Sequence, residues 1–276
     1  MLNLNKLLKL IKFISLFIVS FLILEFIFNY IQNVYFFEFN LNLLIAIVIS
    51  NIITEYFYNK SFVKLVLNFD ITTLRNLLRS TIITIICFSF VFLIFVLSLK
   101  FNFNDAINLN ILISFLLFQL IISISEEIGF RGIIFNILKD NYGSIFAIIT
   151  TSIIFTSFHL NNPYVDLIAI INIFCGGLLF GFIVDRTGSI WNSIMVHFLW
   201  NSITSLFLGS KVSGFNSINF IKFEIHSFQF FYGNDFGFES SILAFIVIIS
   251  LFILFSKYLT ISPFVEAEKF KKIYIR

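Results

Sequence analysis

The chain has 276 residues, 59% of them hydrophobic and only 12% charged, with a mean hydropathy of +1.01. A water-soluble chain carries about 25% charged residues, so a soluble globular protein is excluded; 42 Phe against 2 Pro and 11 Gly exclude collagen-like and disordered polymers as well. The formal charge of +3 is too slight for a nucleic-acid partner, and what remains is an all-α, polytopic membrane protein.

Crossing about 30 Å of hydrocarbon takes roughly 20 helical residues. Apolar runs of that order fall at about residues 13 to 29, 41 to 58, 80 to 99, 109 to 128, 143 to 160, 165 to 184, 189 to 208 and 240 to 258, which predicts about eight transmembrane helices. The first run follows Lys6, Lys9 and Lys12 but carries Glu25 and precedes no small-residue cleavage site, so it reads as a retained anchor. With both termini cytoplasmic, fourteen basic residues fall on the cytoplasmic side, three (Lys100, Lys211, Lys222) on the other, and Arg131 inside a span. This bias favours that orientation and an even number of crossings. The stretch from 209 to 239 is rich in Phe and reads as an outer interfacial segment, and 259 to 276 as a cytoplasmic tail. Cys87 and Cys175 lie in apolar runs and read as small packing residues. No repeat or second domain is visible, so the whole chain is expected to form one integral membrane domain.

Ionisable side chains in a bilayer cost about 2.5 to 3.5 kcal/mol each on insertion scales, which makes every one inside a span a functional candidate. The fourth run ends in Ser125-Glu126-Glu127-Ile128-Gly129-Phe130-Arg131-Gly132, the fifth in Phe155-Thr156-Ser157-Phe158-His159, and the seventh contains His197-Phe198-Leu199-Trp200-Asn201. His226, the third histidine, falls in the outer segment. Glu127 and Arg131 are four apart and share a helix face, which predicts an ion pair. Glu126, about 100° away, keeps its carboxylate free for general acid or base work. His197 and Asn201 also share a face, as paired donors for a developing oxyanion. Counting rises from the turns at 139 to 143 and 185 to 188 places these groups in one broad layer, roughly 13 to 25 Å up. That requires a fourth helix running on to about residue 139, with Gly129 and Gly132 as candidate kinks. Gly177 and Gly181 have the small-xxx-small spacing of close helix packing, and Phe155 reads as packing.

Glu126-Glu127 to Arg131, Phe155 to His159 and His197 to Asn201, in that order and each in an apolar segment, resemble the motifs of type II CAAX-prenyl endopeptidases and the wider CPBP (Abi) family of intramembrane proteases. The resemblance covers about residues 80 to 208, a protease-like core. It implies that Glu126 with His159 activates a water for attack on a peptide carbonyl, that His197 and Asn201 stabilise the oxyanion, and that Glu127 and Arg131 shape the site. It also implies a peptide or membrane-protein substrate and, by analogy with bacterial relatives, a role in bacteriocin self-immunity or peptide maturation. Metal-free chemistry is expected, with zinc on Glu126, His159 and His197 as the alternative. A second function class stays open: a membrane transporter or non-catalytic binding protein that uses the same polar cluster as a relay.

Overall fold

The computed structural model describes residues 41–58, 69–104, 107–216, 218–225 and 228–261 as continuous stretches, and residues 8, 11, 12, 15, 16, 19, 20 and 23 singly. Most of the first predicted span, His226 and residues 262–276 of the tail lie outside these. In chain order the elements are α1 (Leu41–Tyr58), α2 (Ile71–Ser98), β1 (Phe101–Phe103), α3 (Leu109–Arg131), α4 (Ile133–Tyr142), α5 (Ser144–Phe158) and α6 (Leu167–Thr187). They continue with α7 (Ile190–Leu206), β2 (Ile221–Phe223), α8 (Gln229–Tyr232), a 3-10 turn (Phe238–Ser240) and α9 (Ile242–Tyr258). The all-α class expected from composition is what forms, with one two-stranded ribbon added.

Helix starts follow local chemistry. Asp70, Asn108, Asp166 and Ser241 each stand one residue before a helix, and each accepts from a backbone N–H three residues on, at 2.7 to 3.0 Å. Such caps satisfy donors that have no partner inside the helix. At the other end of α6, Gly188 takes a left-handed φ of 66°, a conformation glycine adopts without steric cost, and the chain reverses directly into α7.

α2 shows how these helices sit. Its buried positions are Thr73, Asn76, Ser80, Thr84, Phe88, Val91 and Phe95, spaced three or four apart. Ile71, Leu78, Ile82, Ile86, Phe90 and Leu97 are exposed. Polar residues inside and a continuous apolar face outside reverse the pattern of a soluble bundle, and such a face needs a lipid environment. The chain is a membrane protein. The expectation of about eight spans is corrected, however. Among the described residues, three helical stretches have the length and composition to cross: Ile71–Ser98, the combined Leu109–Tyr142, and Leu167–Thr187. α5 and α9 are apolar but only 15 and 17 residues long, about 22 and 25 Å. Apolar runs in a sequence do not reveal where a helix stops, and α5 stops at Phe158 while the apolar run reaches residue 160.

α5 packs along α6, α7 against α2 and α3, and α9 against α2 and α6. One large apolar cluster joins α2, α6, α7, α9, β2 and the 3-10 turn through Phe88, Phe95, Trp200, Phe238 and Phe255. A second, built on Ile128, Phe135, Ile137, Leu138, Val184 and Ile190, surrounds α4. The stretch expected as an outer interfacial segment divides. β2 pairs antiparallel with β1, Asn102 opposite Lys222, and Phe236 and Phe238 are fully buried. Phe215, Phe228, Phe230 and Phe231 are exposed. Lys139 and Asp185 join the α4 and α6 ends by an ion pair at 2.7 Å.

Candidate active site

α3 carries the first part of the site. Glu127 and Arg131, one turn apart, are both 0% exposed, and an Arg131 Nη donates to Glu127 Oε1 at 3.0 Å. The second Nη donates to the Gly177 carbonyl at 3.0 Å. Close approach of α6 makes this bond possible: a Cβ built on Gly177 would stand 3.0 Å from the Ser152 Cβ of α5. The guanidinium also lies 4.7 Å from the Phe155 ring centre and 5.4 Å from that of Phe180, positions at which an aromatic face attracts a cation. Phe155 is therefore more than packing.

α7 brings the second part. Ser193 and His197 are four apart and both face Glu127: Ser193 Oγ donates to Oε2 at 2.5 Å, and His197 Nδ1 stands 3.1 Å from Oε1. Glu127 thus meets a guanidinium, a hydroxyl and an imidazole. A carboxylate against Nδ1 keeps the proton on that nitrogen and turns Nε2 outward. Nε2 stands 3.7 Å from Glu126 Oε2, longer than a direct hydrogen bond and suited to a bridging water. Phe180 stacks on the imidazole at 4.7 Å with 17° between the planes, which holds the ring on a second side.

The other two expected residues are placed as follows. His159 caps α5, its Nδ1 2.8 Å from the Phe155 carbonyl, and with His197 it lines a cavity bounded also by Asn172, Gly176, Phe180, Trp200, Ser213 and Glu239. No hydrogen bond or ion pair joins His159 to Glu126. Asn201 is buried one turn beyond His197, and its side chain makes no hydrogen bond among the described residues. The structure therefore brings Glu126, Glu127, Arg131 and His197 into contact, and leaves His159 outside that cluster but lining the same cavity as His197, both rings against Phe155. Ser193 was missed in the sequence, though its spacing of four from His197 carried a signal. Glu239, whose Oε1 accepts from Trp200 Nε1 at 3.2 Å, was missed without any.

Among the described residues no three His, Cys, Asp or Glu side chains form a metal-holding group. Glu126, His159 and His197 as they stand do not fit the three-ligand set of a catalytic zinc.

Buried charges gathered between lipid-facing helices define a membrane protein with an internal polar site. Residues 108–203, about a third of the chain, match the family model Rce1-like, type II CAAX prenyl endopeptidase Rce1-like. Over that stretch, which contains all three motifs, the chain is similar to that family. No curated protein matches the chain.

Proposed function

We propose that the protein is an intramembrane endopeptidase that cuts a peptide or a membrane-associated protein tail. The observation that carries this reading is His197 held between two carboxylates, Nδ1 toward Glu127 and Nε2 toward Glu126, in a bundle whose outer face is lipid-compatible. Glu126 takes a proton from a water as its oxygen bonds to the substrate carbonyl carbon. The oxyanion that forms is met by the Asn201 amide and by the His197 ring, whose Nε2 donates when both ring nitrogens carry a proton. When the C–N bond breaks, the proton passes from Glu126 to the leaving amine, and the products are a carboxylic acid and an amine, which exchange a proton to a carboxylate and an ammonium. Glu127 and Arg131 act through His197 by fixing its ring, and His159 meets the substrate from the cavity lining. The chemistry is proposed to run without metal, in a single integral membrane domain that crosses the cell membrane several times with both termini cytoplasmic. Substrates in peptide maturation or bacteriocin self-immunity suit this activity.

The test is cleavage of membrane peptides by purified protein, with prenylated and unprenylated twins and elemental analysis of the same preparation. Removing a general base costs about 10²- to 10⁴-fold in rate, so Glu126→Gln is expected to lose at least a hundredfold. Asn201→Ala is expected to lose about 10²- to 10³-fold, the range for an oxyanion donor. Equal cleavage by wild type and Glu126→Gln overturns the reading. Substrate-dependent proton flux in liposomes that survives His197→Ala would instead identify a transporter.

A further inference from the structure

Glu239 reaches the cavity from outside the family match. It is 8% exposed, and every contact it makes is one in which it accepts: Oε1 from Trp200 Nε1 at 3.2 Å, Oε2 from the Ser213 N–H at 2.8 Å and from Ser213 Oγ at 3.1 Å. All three donors are neutral. Among the described residues no lysine, arginine or histidine lies within ion-pair distance of it. Arg131 is engaged by Glu127 and the Gly177 carbonyl, and the Lys211 ammonium stands over the Tyr164 ring at 4.4 Å. His197 lies against Glu126 and Glu127, and His159 Nδ1 against its own helix.

Asn172, also on the cavity wall, is 3% exposed. Its Nδ2 donates to the carbonyls of Glu239 at 2.7 Å and Ser241 at 2.8 Å, while its Oδ1 is buried with no hydrogen-bond partner among the described residues. The wall of the cavity thus carries a carboxylate without a cation, and Asn172 places a carbonyl oxygen without a donor beneath the surface behind it. Groups of both kinds are costly to bury unmet.

We propose that this wall is a subsite for a primary ammonium group of the substrate, a lysine side chain or an N-terminal amine next to the bond that is cut. The proposal deepens the endopeptidase reading and rests on it for the identity of the ligand as part of a peptide. An ammonium brings the positive charge and three donors that Glu239 and Asn172 lack. The cavity has room for roughly two waters, and an ammonium head is water-sized. His159 and His197 line the same cavity, which sets the subsite beside the imidazole that Glu126 and Glu127 flank.

Binding of two short membrane peptides, identical except for lysine or norleucine at one position, to the full-length protein in detergent tests this. Wild type is expected to bind the lysine peptide about tenfold more tightly or better, and Glu239→Gln, checked for folding by its melting temperature, to bind the two alike. Equal binding by wild type, or a preference that persists in folded Glu239→Gln, overturns the proposal. A measurement on wild type alone is the zero-length carbodiimide crosslink between lysine peptide and protein: an amide to Glu239 is expected, and one to Glu126 alone overturns the assignment. N-acetylated twins separate an N-terminal amine from a side chain. Discrimination in binding with no cleavage of any peptide would overturn the endopeptidase reading and leave the subsite standing.

Discussion

Glu127 is where the most interactions of the site converge, and a fully buried ion pair makes its loss measurable. Removing one partner of such a pair leaves an uncompensated buried charge at a cost of about 3 to 5 kcal/mol, whereas replacing both by apolar groups is often close to neutral. Arg131→Leu is therefore expected to destabilise by about that amount, and Glu127→Leu/Arg131→Leu to recover much of it. Unfolding of the single and double variants in detergent, read as a double-mutant cycle, measures both, and a double variant as unstable as the sum of the singles would refute the pairing. Much of this cluster was legible in the sequence. A spacing of four put Glu127 with Arg131, whereas Ser193, equally four from His197, went unnoticed beside Asn201. What spacing does not carry is contact between helices. It gave Glu126 no partner, whereas α7 brings His197 Nε2 to 3.7 Å from it. Glu239 was illegible because it meets Trp200 across a sequence separation of 39, which no helical spacing reveals.

α3 and α4 form one helical stretch, Leu109–Tyr142, interrupted at Gly132. A Cβ there would stand 2.1 Å from the Ile128 carbonyl oxygen and 2.6 Å from Asn51 Oδ1, so only glycine fits. Asn51, buried on α1, bridges the interruption: Oδ1 accepts from the Ile133 N–H at 2.9 Å and Nδ2 reaches the Ile128 carbonyl at 3.5 Å. The break immediately follows Arg131 and sets the angle at which its guanidinium enters the site. Asn51→Leu strands a buried N–H and is expected to cost about 1 to 3 kcal/mol. Gly132→Ala must displace backbone and is expected to lower both melting temperature and cleavage rate; wild-type behaviour of both variants would show that the break has no such role. The sequence marked Gly129 and Gly132 as kink candidates. It could not choose between them, because the choice depends on a side chain 82 residues away.

For the molecule as a whole, composition was enough to establish the class. It did not establish the number of crossings, since irregular ends such as the one after Phe158 shorten helices below bilayer thickness. The proposed orientation has a direct readout. Single cysteines at Lys100 and Lys211, introduced with Cys87 and Cys175 replaced, are expected to react with an impermeant thiol reagent from outside intact cells. Cysteines at Lys139 and Lys257 are expected to react only after the membrane is opened, and labelling of all four from one side would refute the arrangement. Within the bundle, α5 and α6 are nearly in backbone contact, with Ser152 against Gly177 and Ile148 against Gly181. A fatty acyl tail finds no room to wedge into that seam. Molecules dissolved in the bilayer meet a shut wall there, and a substrate must reach the chamber by another flank.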